Sequence, residues 1–152
     1  MKSGAKQGLS LTGRALRLLS SREHSRAELE RKLAHHEDEP GALLKVLDAL
    51  QAKGFINEER VLESVVHRRA SKLGALRIKQ ELQAKGLEPE AVADAVQALR
   101  ATELERAQQI WRKRFGREPV DAAERGKQVR FLASRGFAGD TIRKVVSGSY
   151  ED

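Results

Sequence analysis

The sequence has no cysteine. Disulfide scaffolds, thiolate metal sites and cysteine nucleophiles are therefore excluded, and the chain fits a reducing compartment. Aromatic residues are scarce, with one Trp, one Tyr and four Phe among 152 residues. A sandwich or barrel calls for more aromatic and β-branched side chains, so the composition favours helices packed through Leu, Val, Ala and Ile. Only three prolines are present, which leaves little room for long extended linkers. No stretch approaches the ~20 apolar residues of a membrane span, and residues 1–20 lack the apolar run of a signal peptide. The reading is a soluble, cytoplasmic protein that does not engage membrane.

Catalytic patterns are missing too. Gly126-Lys127 is followed by Gln128, and Asp121 stands where a phosphate-binding loop needs its first glycine, so this is no P-loop. No Gly-x-Ser-x-Gly elbow exists, and no carboxylate pair stands out from the helix-surface pattern. The stretch His35-His36-Glu37-Asp38-Glu39 could in principle hold a metal. Neighbouring histidines on a helix point about 100° apart, however, and rarely share an ion. It is read as a polar surface loop. No metal, no cofactor and no enzymatic activity are expected.

What is present is charge and helix punctuation. The formal charge is +7, from 29 Lys+Arg and 22 Asp+Glu. Ser25 to Glu28 reads as a capping box, opening a helix with Leu29 and Leu33 on one face; a helix over 12–20 precedes it. A third helix carries Leu43, Leu44, Val46, Leu47 and Leu50 and stops at Gly54, as glycine after a helix often does. The order recurs. Asn57 caps a helix over 58–73 with Val61, Leu62, Val65, Val66 and Leu73. A helix over 75–85 with Ile78 and Leu82 stops at Gly86. Pro89 opens a third, with Val92, Val96 and Leu99 inside. It recurs again. Thr102 to Glu105 reads as a second capping box, before a stripe of Ala107, Ile110, Trp111 and Phe115. Asp121 to Glu124 opens a helix with Val129 and Leu132 that stops at Gly136, and Asp140 caps the last helix, with Ile142, Val145 and Val146.

The string LQAKG occurs at 50–54 and 82–86, and LASRG at 132–136. Aligning Leu33, Leu82 and Leu132 gives steps of 49 and 50 residues. The strings at 82 and 132 are repeat equivalents, whereas the one at 50 ends a third helix. The first repeat has Glu37 where the others have glycine, so its second turn is built differently, and Gln128 stands where Leu29 and Ile78 sit. The fold expected is all-α: an elongated array of three tandem three-helix repeats, at 12–57, 58–102 and 103–147. A flexible N-terminal tail, 1–11, and a C-terminal tail, 148–152, flank it.

Charge is uneven along the repeats. The first two each carry 8 basic and 7 acidic residues, and the third 11 and 6. Arg68, Arg69, Lys72, Arg77 and Lys79 lie in a stretch without a carboxylate, followed by Lys85. Arg112, Lys113 and Arg114 follow Trp111, and Arg125, Lys127 and Arg130 lie on the next helix. Arg68 and Lys72, at i,i+4, share a face that could follow phosphates. The alternative for each is a solvated helix face. Trp111 is read as core, with a base-stacking platform as the alternative. The Ser25 capping box also suits a helix-turn-helix opening, but no β-hairpin of a winged form follows.

Three segments, SREHSRAELERKL, KGFINEERVLESVV and GALRIKQELQAKGLEPEAV, resemble the RecX family of recombinase regulators, over about residues 12–147. The resemblance implies tandem three-helix repeats that bind RecA, mainly its filament on DNA, and restrain strand exchange, ATP hydrolysis and coprotease activity. It implies weak contact with single- and double-stranded DNA as well. On this reading the chain is a monomer without catalytic residues, whose basic clusters face the filament. The other reading is a sequence-nonspecific DNA-binding protein that acts without a protein partner.

Overall fold

A computed structural model describes residues 8–147; the expected tails fall largely at 1–7 and 148–152, outside the described residues. Among the described residues there are nine α-helices and no strand: α1 (Leu11–Ser21), α2 (Arg26–Leu33), α3 (Ala42–Ala52), α4 (Glu58–Arg69), α5 (Ala75–Ala84), α6 (Pro89–Ala101), α7 (Glu103–Arg114), α8 (Ala122–Ser134) and α9 (Gly139–Ser147). The all-α fold of successive three-helix sets is as expected. Among the described residues no helix is long and apolar enough to cross a membrane.

The helix starts follow from local chemistry. Ser25 and Glu28 form the reciprocal capping box: Glu28 N–H donates to Ser25 Oγ (3.1 Å) and Ser25 N–H to Glu28 Oε1 (2.9 Å). Asn57 Oδ1 accepts from Arg60 N–H and Asp121 Oδ1 from Glu124 N–H, each at 2.9 Å. After α2 the chain makes a short 3₁₀ turn, Ala34–His36, and extended Glu37 accepts Leu43 N–H. The first repeat therefore does build its second turn differently.

Four local expectations need correction. Thr102 forms no capping box, because its hydroxyl donates to Leu99 O and its oxygen accepts from Arg106 Nε. Asp140 lies inside the first turn of α9 and pairs with Arg143 instead of capping. Helix α4 stops at Arg69, not at 73, because Arg106 draws the Ala70 and Leu73 carbonyls onto its guanidinium, both at 2.8 Å. Lys72 then sits in the turn beyond α4, so Arg68 and Lys72 are not successive rungs of one helix.

The chain divides into two compact units, Met1–Ser64 with Lys85–Leu87, and Val65–Ala84 with Glu88–Asp152. In the first unit Ala15, Leu29, Leu33, Leu43, Leu47, Leu50 and Ile56 form the core. Burying a leucine such as Leu29 or Leu47 contributes about 2 kcal/mol. In the second, Ala107, Trp111, Leu132, Phe137, Ile142, Val145 and Val146 form one cluster, and Ile78, Leu82, Val92, Val96 and Leu99 are also buried. Trp111 is core, only 6% exposed. Its indole N–H donates to Gln128 Oε1 (2.8 Å), while the Gln128 amide nitrogen donates to Arg117 O (3.1 Å). A polar residue thus occupies the position of Leu29 and Ile78 because both ends of its amide find partners.

One device occurs in each unit. The first residue of a repeat's opening helix lends its carboxylate to the N-terminus of an earlier helix. Glu58 Oε2 accepts Arg26 N–H at the start of α2 (3.0 Å). Glu103 Oε1 accepts Ala75 N–H at the start of α5 (3.0 Å), and its Oε2 takes Ala138 N–H just before α9 (2.9 Å). Helix N-termini carry unpaired donors and a positive dipole, so a carboxylate suits both needs.

Candidate interaction site

The second helix of a repeat docks by its N-terminus on a glycine turn, and this happens once within each unit. In the first unit Ser25 Oγ donates to Lys85 O (2.6 Å). In the second, Gly74 N–H donates directly to Arg135 O (2.7 Å) and Leu76 N–H to Gly136 O (3.2 Å). Gly86 and Gly136 have φ of 72° and 89°, a region glycine enters without strain. A Cβ on Gly74 would collide with the Gly136 carbonyl, so backbone meets backbone only because residue 74 has no side chain.

Charge separates these two docking turns. At the first, Glu28 accepts from Lys85 Nζ and from Arg22, each at 3.0 Å; Glu28 and Lys85 are largely buried, and Arg22 reaches them from the exposed side. Burial works against the Glu28 charge, but the Ser25 N–H, the Arg22 guanidinium and the Lys85 ammonium outweigh it and hold the carboxyl down at about 2. Beside it, buried His24 donates through Nδ1 to Arg22 O and takes Lys32 Nζ at Nε2, both at 3.1 Å. Burial lowers its pKa, with the charges of Arg22 and Lys32 acting the same way, so the ring stays neutral.

At the second turn the repeat register puts Arg77 where Glu28 stands and Arg135 where Lys85 stands. Two cations face a place where the first turn holds an ion pair. The result is a hollow of about 460 Å³ lined by Arg69, Lys72, Leu73, Arg77, Gln80, Glu81 and Arg135. Its one carboxylate, Glu81, is taken by Arg69 Nε at 3.0 Å. Arg77, also in the lining, donates to Ser134 O (2.6 Å). A second hollow of about 260 Å³ shares Lys72 and Arg135 and adds Lys113, Arg114, Ile110 and Phe131. The Arg135 and Arg114 guanidinium carbons lie 4.8 and 5.1 Å from the Phe131 ring centre, within the range of a cation–π contact.

The structure thus gathers Arg69, Lys72, Arg77, Lys113 and Arg114 from the sequence candidates. Arg68, Lys79, Arg112, Arg125, Lys127 and Arg130 line neither hollow; all are exposed except half-buried Lys79. Lys85 is 9% exposed and committed to Glu28, so it belongs to the first unit's interior rather than to a contact surface. Sequence reasoning missed Arg135 and Phe131. The i,i+4 spacing of Phe131 and Arg135 was available as a signal, as was the equivalence of Arg135 to Lys85. The pairing of Arg69 with Glu81 had none, since it depends on how α4 and α5 fold back. Among the described residues no group of three His, Asp or Glu could hold a metal ion.

Successive three-helix sets define a helical repeat protein, here with a hollow lined mainly by cations. Family models described as "RecX, second three-helix domain" and "RecX, third three-helix domain" match residues 57–96 and 101–146. A protein of Leptothrix cholodnii named "Regulatory protein RecX" is 56% identical over 138 residues, 91% of this chain and 88% of its own. One of the same name from Ralstonia nicotianae is 46% identical over 144 residues, covering 95% of this chain and 91% of its own. The crystal structure of RecX from Lactobacillus salivarius superposes with a TM-score of 0.73 at 21% identity, over 91% of this chain and 94% of that one. The chain belongs to the RecX family.

Proposed function

We propose that this chain binds the RecA recombinase and its filament on DNA, and restrains strand exchange, ATP hydrolysis and coprotease activity in DNA repair, recombination and the SOS response. It acts by occupancy, as a cytoplasmic monomer without catalytic residues, through three repeats at 12–57, 58–102 and 103–147. Family membership supports this reading. The observation that carries it to a place on the molecule is the cluster of Arg69, Lys72, Arg77, Lys113, Arg114 and Arg135 around two adjoining hollows. Weak contacts spread over several repeats add up only where consecutive protomers are presented together, so binding to filament exceeds binding to free recombinase. The exposed cations Arg68, Arg112, Arg125, Lys127 and Arg130 supply weaker, salt-sensitive contact with DNA.

The test is RecA ATP hydrolysis on single-stranded DNA, titrated with this protein at two DNA concentrations. Inhibition at substoichiometric protein that survives extra DNA supports filament engagement. Inhibition relieved by extra DNA supports the second reading, a sequence-nonspecific DNA-binding protein without a protein partner, which the exposed cations on α7 and α8 favour.

A further inference from the structure

We propose that the hollow beside the Arg135-Gly136 turn is a carboxylate site, which captures an acidic side chain of a protein partner and seats an adjacent apolar side chain on Ile110 and Phe131. It rests on the recombinase reading, since it states how that partner is held.

The argument is the comparison of the two docking turns. Where α2 meets the Lys85-Gly86 turn, a cation from the turn meets a carboxylate from the helix, and Arg22 joins them. Where α5 meets the Arg135-Gly136 turn, the helix supplies Arg77 instead. Arg69, Lys72, Arg77 and Arg135 then face Glu81 alone, which Arg69 already occupies. Like charges gathered around a concave surface raise one another's energy unless an anion enters. The anion the fold itself places at the first turn is a carboxylate, and guanidinium forks match that geometry.

The neighbouring hollow selects between occupants. It is lined by Ile110 and Phe131, both half-buried, together with Ser71, Lys72, Lys113, Arg114 and Arg135. An acidic residue followed by an apolar one satisfies both hollows at once. A nucleic-acid backbone calls for cations strung along a track, which describes the exposed set on α7 and α8 better than cations grouped around two adjoining hollows, one of them lined in part by Ile110 and Phe131.

The test uses the full chain and its Arg135→Glu variant, which supplies the missing carboxylate from within. Affinity is measured separately for DNA-free RecA and for a single-stranded oligonucleotide. The proposal expects RecA binding to weaken roughly ten- to a hundredfold, the size of one or two lost charge-assisted hydrogen bonds, with oligonucleotide binding within about twofold of wild type. Equal RecA binding by the two chains overturns this site and leaves the recombinase reading standing. Loss of oligonucleotide binding with RecA binding retained makes the occupant a phosphate and overturns it too. A wild-type chain that does not bind RecA at all removes the recombinase reading first. As a measurement independent of any variant, carbodiimide coupling of the wild-type complex should join a RecA carboxylate to Lys72 Nζ as an amide. Coupling confined to other lysines contradicts the proposal.

Discussion

At the Lys85-Gly86 turn, α2 brings Ser25 and Glu28; at the Arg135-Gly136 turn, α5 brings Gly74 and Arg77. The backbone task is shared, since in each case the carbonyl before the glycine accepts a hydrogen bond from the incoming helix start. The solutions differ. A serine hydroxyl spans the gap at the first turn, while at the second the gap is closed and only glycine fits. The first turn is sealed by Glu28 with Lys85 and Arg22, whereas the second leaves a cationic hollow. Repeats can therefore keep one docking geometry while one copy is closed by an ion pair and the other leaves its cations lining a hollow.

The comparison can be broken at its closest contact. Gly74→Ala forces a methyl group into the Gly136 carbonyl and disrupts both backbone hydrogen bonds there, at about 4 kcal/mol. For a domain of this size that lowers the thermal midpoint by roughly 8–16 °C. Glu103→Ala comes next. It strands the N–H groups of Ala75 and Ala138 together, at about 3 kcal/mol, while Glu58→Ala strands one part-buried N–H and costs about 1 kcal/mol; thermal melts of the two variants side by side check the ratio. Ser25→Ala removes the bridge to Lys85 O and a helix cap, at about 2 kcal/mol by denaturant titration.

Acid sharpens the same contrast at smaller amplitude, because both shifted groups of the first docking cluster have depressed pKa values. For His24, with a folded value below 6.5, the unfolded chain takes up the proton first. The stability it contributes is present above pH 6.5 and is lost as pH falls through the folded value. For Glu28, stability present above 4.5 is lost as pH falls toward about 2. Melts from pH 7 to 3 should show a first decline that His24→Gln removes and a later one that it does not.

Much of this fold was legible in the sequence because its signals are local. Ser25, Asn57, Asp121 and Pro89 mark helix starts by their own chemistry, and Leu33, Leu82 and Leu132 set the repeat register. Thr102 departs from the expected box because two neighbours compete for its hydroxyl, Leu99 O three residues back and Arg106 Nε four residues on, while Glu103 is drawn to the distant starts of α5 and α9. The site was half legible. Composition exposed the basic stretch 67–80, but the sorting of Arg69, Lys72 and Arg77 into one hollow, with Lys85 withdrawn into an ion pair, depends on which turn each helix start meets.

The most direct measurement compares two equivalent charge reversals, Lys85→Glu and Arg135→Glu, by thermal unfolding at neutral pH. Reversing Lys85 sets a second carboxylate against buried Glu28, at about 4 kcal/mol or more, or roughly 10 °C. Reversing Arg135 places a carboxylate among Arg69, Lys72 and Arg77, and the midpoint should move by no more than about 1–2 °C. A fall for Arg135→Glu as large as that for Lys85→Glu would show that both turns are structural locks, and would contradict the account.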